Sequence, residues 1–172
     1  MAHSIELLLD QRADTAIRQM WRALADAGLP SQLSVTSHTN RPHITLVAAE
    51  RIAPDIDEEL SWLAAELPRP AVLGAPLVFG GDRLTLARLV IPSDSLLAAH
   101  EQVYDDCVPF ASNVFPHSAP GRWTPHVTLG RRFTPAQIGE ALTIDGLAAD
   151  IRAGVVGMRR WDGDAKREYL IS

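Results

Sequence analysis

Thr124-Pro125-His126-Val127-Thr128-Leu129-Gly130-Arg131 restates a stretch met earlier in the chain, Arg41-Pro42-His43-Ile44-Thr45-Leu46. Pro-His-apolar-Thr-Leu therefore occurs twice, 83 residues apart (126 − 43). Both copies predict β-strands. β-branched residues dominate each, and Pro stands at the head, where a missing N–H costs least. With a side-chain period of two, His43 and Thr45 share one face and Ile44 and Leu46 the other. His126 and Thr128 stand against Val127 and Leu129 in the same way. Each copy can anchor an apolar pair in a core and offer an imidazole and a hydroxyl on the opposite side. Side by side, the two strands would surround one small space with two imidazoles and two hydroxyls.

Two H-x-T-x motifs on strands of a chain this size resemble the two-histidine (2H) phosphoesterase superfamily, which includes 2′-5′ RNA ligase-like proteins and RNA 2′,3′-cyclic phosphodiesterases. The resemblance spans most of the chain, since one motif lies in each half. It implies His43 and His126 as general acid and base, with Thr45 and Thr128 donating to phosphoryl oxygens. The chemistry fits the residue types. In-line displacement at phosphorus needs a base on the attacking oxygen and an acid on the leaving one, and two near-neutral imidazoles can divide those roles without a metal. Threonine hydroxyls can stabilise the charge that builds on the phosphoryl group. In RNA-processing members an Arg follows the second motif and binds phosphate, which points to Arg131. Strict alternation from His126 would instead put Arg132 on the histidine side, and only a bulge or strand end near Gly130 would favour Arg131. Trp123, three residues before His126, either stacks a nucleobase or packs in the core.

The chain has 172 residues, 47% of them hydrophobic, enough for one domain with a sizeable core. No apolar run is long enough for a bilayer, and the first residues lack a signal-peptide pattern, so a cytoplasmic protein with no membrane association is expected. A lone cysteine, Cys107, excludes a disulfide framework and a cysteine-rich metal site. H-E-x-x-H and C-x-x-C are absent, and neither a metal nor an organic cofactor is expected. The net charge of −5 argues against a broad basic surface for long nucleic acid. A short or terminal ligand suits it better: an RNA end or a small nucleotide with a cyclic or 2′-5′ phosphodiester, bound by a monomer.

In chain order, Ser4–Asp10 reads as a buried strand and Gln11–Ala27 as a helix with Ile17, Met20, Trp21 and Leu24 on its apolar stripe. The first motif strand, Arg41–Ala49, follows a polar loop. Pro54–Leu67 reads as a second helix whose acidic first turn faces solvent. Ala71–Phe79 and Arg83–Ile91 form a hairpin about Gly80-Gly81. Ser93–Cys107 reads as a helix carrying His100 as a core residue. Val108–Arg122 reads as irregular, and the second motif strand is Trp123–Arg132. Thr134-Pro135-Ala136-Gln137 opens a capped helix to about Leu142. Ile151–Trp161 and Glu168–Ile171 close the chain as strands. His3, His38 and His117 match no partner and read as surface or loop residues.

The halves thus run in parallel: strand, helix, motif strand, helix, strand. The expected fold is α+β and bilobal, a pseudo-twofold pair of β-α-β-α-β units over about 1–80 and 81–172, with two antiparallel-rich sheets around a central cleft. The favoured activity is opening of 2′,3′-cyclic phosphates by a phosphoric diester hydrolase. A 2′-5′ RNA ligase or 2′-5′ phosphodiesterase, or a non-catalytic nucleotide or RNA-end binding module, are the alternatives.

Overall fold

A computed structural model describes residues 2–172. β1 (His3–Leu9) is buried at every position, which sets it at the centre of its lobe. It lies between β2 (His43–Ile52) and β7 (Ile151–Asp162), antiparallel to both. His3 is therefore no surface residue. It begins β1 and is 4% exposed.

The other strands are β3 (Arg69–Phe79), β4 (Leu84–Val90), β5 (Ala111–Val114), β6 (His126–Phe133) and β8 (Arg167–Ile171). The helices are α1 (Gln11–Asp26), α2 (Ile56–Glu59), α3 (Ser61–Ala65), α4 (Asp94–Cys107) and α5 (Pro135–Ala141). Local chemistry explains their starts. The Asp10 carboxylate accepts from the Ala13 amide to cap α1, and the Ser93 hydroxyl does the same for α4 from Leu96. Thr134 and Gln137 form a full capping box at α5, with Pro135 at its first position. α1 buries Ala13, Ile17, Trp21 and Leu24. No helix among the described residues is long and apolar enough to cross a membrane.

Other expectations change too. The strands form one eight-stranded sheet, β5-β2-β1-β7-β3-β4-β6 with β8 beside β7, not two. The cause is β7, which is long enough to serve both lobes. Its Val155–Trp161 segment pairs with β1 and its Ile151–Val155 segment with β3. The expected helix over 54–67 is broken at Leu60 (φ −91°, ψ 2°) into α2 and α3, which keeps Ile56, Leu60 and Leu63 all in the core. Its acidic first turn is not all solvated, because Asp57 accepts from Nε and Nη2 of the buried Arg160 at 2.8 and 2.9 Å. Finally, the stretch after α4 contains β5. Four residues flanked by prolines carry little strand signal, yet β5 pairs with the far end of β2.

The pairing also shows how the halves combine. β1 pairs with the last long strand of the second half, β7, and β4 pairs with the last strand of the first half, β3. Each lobe is thus completed by a strand from the other half of the sequence. The motif strands β2 and β6 occupy equivalent places beside β1 and β4.

Candidate active site

Both motif strands alternate as their residue types require. His43 and Thr45 are half-buried beside buried Ile44 and Leu46, and His126 and Thr128 are half-buried beside buried Val127 and Leu129. Each strand then carries the same irregularity. In β2, Thr45 pairs with Glu6 and Val47 with Ile5, leaving Leu46 as an extra residue. In β6, Thr128 pairs with Ala87 and Gly130 with Leu86, leaving Leu129 extra. Leu46 and Leu129 are again 83 residues apart (129 − 46). A bulge reverses the alternation beyond it. Ala48 and Arg131 consequently come round to the histidine side, and both line a cleft of about 290 Å³ with His43 and Thr45. Gly130 makes this path possible, since a Cβ there would lie 2.5 Å from the Pro30 carbonyl oxygen.

The imidazoles are held alike. His43 Nδ1 lies 2.8 Å from the Arg41 carbonyl oxygen, and His126 Nδ1 lies 2.7 Å from that of Thr124. A carbonyl can only accept, so each Nδ1 carries the proton and donates it. With Nδ1 taken, Nε2 is the nitrogen that each ring has left to offer. The strand edges are held by crossed indoles. Trp21 Nε1 donates to the Thr128 carbonyl at 3.1 Å, and Trp123 Nε1 donates to the Thr45 carbonyl at 2.9 Å.

The electrostatics differ between the motifs. His43 Nε2 lies 3.7 Å from Oε1 of Glu6, a carboxylate 4% exposed. Burial alone would raise the Glu6 pKa, but the charges of His43 and Arg159 and the bonds from Ser4 and Arg159 outweigh it, and Glu6 is held below the ordinary carboxyl value. Arg159 also donates to Glu168, and Arg41 pairs with the other oxygen of Glu168 at 2.6 Å. Among the described residues no carboxylate is paired with His126 in this way. Its ring packs on Phe79, centroids 4.6 Å apart. Burial lowers its pKa, the Thr124 carbonyl opposes that, and the positive charges of His43, Arg131 and His117 lower it further.

Arg132 lies in a second bulge of β6, where Leu84 pairs with Phe133 and Thr85 with Arg131, and its φ is +69°. Arg131, not Arg132, joins the cleft. Trp123 has one face covered by the His100 ring, with centroids 3.9 Å apart and planes 1° from parallel. With its N–H bonded to Thr45, it buttresses the first motif from behind. His100 is 2% exposed and bonds the Ser118 carbonyl through Nε2 at 2.9 Å, the satisfied core residue expected of it. His38 and His117 are exposed. Sequence reasoning missed Glu6 and Arg159. Glu6 sits in an apolar run, and a charge in a strand that otherwise reads as buried was the available signal.

Among the described residues, His3, Asp162 and Asp164 bring one ligand atom each within 4.8 Å of one another at the turn between β7 and β8. Asp162 Oδ1 already accepts the Asp164 and Ala165 amides there.

The sequence profile of the 2′-5′ RNA ligase superfamily matches residues 9–162. Among curated protein sequences none matches. Solved structures share the fold. A Kluyveromyces marxianus Usb1 with uridine monophosphate superposes with a TM-score of 0.52 at 13% identity, covering 99% of this chain and 96% of that one. A crystal structure of a phosphoesterase gives 0.56 at 15% identity, covering 98% and 93%. E. coli LigT complexed with 3′-AMP gives 0.52 at 15%, covering 99% and 94%.

Proposed function

Since the chain belongs to the 2′-5′ RNA ligase superfamily of two-histidine phosphoesterases, we propose that it is a metal-independent phosphodiesterase that opens 2′,3′-cyclic phosphates on RNA ends or small nucleotides. The observation that carries the reading is the matched pair of imidazoles. Each is fixed through Nδ1 to a carbonyl two residues back, and each leaves Nε2 for a ligand. Usb1 and LigT, which share the fold, were solved with uridine monophosphate and 3′-AMP, in keeping with a nucleotide ligand.

The cyclic phosphate sits between the two motifs in this reading. Arg131 meets its negative charge from one side, and the Thr45 and Thr128 hydroxyls donate to the non-bridging oxygens. His126 accepts a proton from water at Nε2 as the oxygen attacks phosphorus. The bond from phosphorus to the leaving ribose oxygen breaks in line, and His43 delivers its Nε2 proton to that oxygen. The products are a phosphomonoester, the 2′-phosphate by family resemblance, and a free hydroxyl. The proton gained by His126 returns to His43 through solvent. With an RNA 5′-hydroxyl in place of water the same forward displacement would make a 2′-5′ linkage, and its reverse would cleave one.

The test is turnover of 2′,3′-cyclic nucleotides and short 2′-5′ and 3′-5′ oligonucleotides, with and without chelator. Opening of the cyclic phosphate is expected to survive EDTA. Loss with EDTA and recovery on adding a divalent ion would refute the mechanism. A base must be neutral to accept a proton, and the pKa of His126 is lowered by burial. The acid limb of kcat/KM is therefore expected below the ordinary histidine value of 6.5, with activity falling as pH drops through it.

A further inference from the structure

We propose that Trp161 is the platform on which the ligand's nucleobase stacks, so that the cleft selects a phosphate carrying a nucleoside over a bare sugar phosphate. The choice of a nucleotide as ligand rests on the phosphodiesterase reading. The platform itself is a property of the free protein.

The chain has four tryptophans, and the fold uses the N–H of three. Trp21 donates to the Thr128 carbonyl, Trp123 to the Thr45 carbonyl, and Trp62 to the Asp106 carboxylate at 3.1 Å. A buried indole N–H normally finds such a partner. Trp161 is half-buried, and among the described residues its N–H has none. That N–H is not sealed from water, because the buried side-chain polar atom left unbonded among the described residues is His3 Nδ1. Trp161 lines the cleft with His43, Thr45 and Arg131, and no phenylalanine, tyrosine or second tryptophan joins it there. An aromatic face in a wet, polar cleft is surface that a flat ligand can cover.

Paired strands set its position. Trp161 pairs with Ser4 of β1 on one side and with Glu168 of β8 on the other. Arg159, two residues back with no break in register, lies on the same face. Its guanidinium carbon stands 6.0 Å from the centre of the indole. The guanidinium is fixed in turn by Glu6, Glu168 and the Thr39 carbonyl. A ring held by two strands and a fixed cation has little freedom left to lose when a base stacks on it, so more of the contact energy becomes affinity.

The reach suits one nucleotide. Thr45 pairs with Glu6 and Trp161 with Ser4, which sets the two residues two strands and two positions apart. At ~4.8 Å per strand and ~3.3 Å per residue, their Cα atoms lie about 12 Å apart. A phosphate bound by Thr45 and Arg131 leaves that span to a ribose and brings the base to the indole. Val35, 44% exposed, adds apolar surface to the same cleft from the loop between α1 and β2. Asn40 holds that loop, its Nδ2 donating to the Val35 carbonyl at 3.0 Å. Every base has a π-face, so the platform favours nucleotides as a class.

The test is calorimetric binding of 2′-AMP against methyl riboside 2-phosphate, which has the same sugar and phosphate without a base. The wild type is expected to bind 2′-AMP roughly 10- to 100-fold tighter than the abasic phosphate. Trp161→Leu should lose most of that advantage and bind the abasic phosphate as the wild type does, with Trp161→Phe in between. On 2′,3′-cyclic AMP the Leu variant should show the loss in KM, with kcat nearly kept. Should the Leu variant not fold, the wild-type comparison and the Phe variant decide. A wild type that fails to bind 2′-AMP, or binds both phosphates equally, would overturn the proposal. So would an unchanged 2′-AMP affinity in a folded Leu variant, or an equal loss on both ligands, which would mark a structural role. If no cyclic nucleotide is turned over while the Trp161-dependent preference for 2′-AMP stands, the phosphodiesterase reading fails and the platform remains.

Discussion

The two motif strands have the same backbone and differently charged neighbours. Opposite Thr45 stands Glu6, and opposite Thr128 stands Ala87. One strand further out, Arg159 answers Glu6 where Leu77 answers Ala87, and Trp161 pairs with Ser4 where Phe79 pairs with Thr85. Beyond the matching bulges the first motif strand presents neutral Ala48 and the second the cation Arg131. Two like groups close together disfavour each other's charged form, so an equivalent pair can share a single proton, and unequal neighbours bias which member holds it.

The sharpest way to break this comparison is to remove each imidazole. His43→Ala and His126→Ala are each expected to lower kcat by ~10²–10⁴-fold. On a p-nitrophenyl phosphodiester, whose leaving group needs no proton, His43→Ala should recover most of its activity and His126→Ala should not. Equal recovery would mean that the two motifs are chemically equivalent after all.

A buried arginine in each lobe gives the next contrast. Arg159 is balanced by Glu6 and Glu168. Arg88 on β4 is fully buried and donates to carbonyls, those of Gly74, Leu147 and Ala149 among them. These bonds tie β3 and the segment ahead of β7 to β4. Arg88→Met would strand several buried acceptors at ~1–3 kcal/mol each, so a loss of roughly 3 kcal/mol or more is expected in urea unfolding. A loss below about 1 kcal/mol would show that the carbonyls find water instead.

Thr45→Val and Thr128→Val keep shape and remove one donor from each motif. Each should cost on the order of 1–3 kcal/mol in kcat/KM, the scale of a charge-assisted hydrogen bond, without a change in unfolding midpoint. A variant at full activity would remove that hydroxyl from the site. The smallest effects belong to the crossed indoles. Trp21→Phe and Trp123→Phe each lose one bond to a motif carbonyl, expected to cost about 1 kcal/mol of stability. If only the Trp123 variant also loses activity, support of the first motif from behind matters more than support of the second.

The sequence by itself determined every strand but β5, with their faces and the pair of motifs, because alternation and capping are local rules. His43, Thr45, His126 and Thr128 were legible from two short stretches, and so was the capping box at Thr134. His100 read as core from its place on an apolar helix face, and it is buried. Tertiary structure decided what depends on partners distant in the chain. β7 joins the lobes into one sheet because it pairs with β1 and β3 at once, a choice invisible within its own residues. Bulges at Leu46 and Leu129 exist only relative to a partner strand, so the selection of Arg131 over Arg132 had to wait for the register. The two contacts of Trp123, the His100 ring on one face and the Thr45 carbonyl at its N–H, come from other elements and could not be read from its own surroundings in the chain. Glu6 lay unremarked in an apolar strand, since a charge can be buried only where the fold brings Arg159, Ser4 and His43 to meet it.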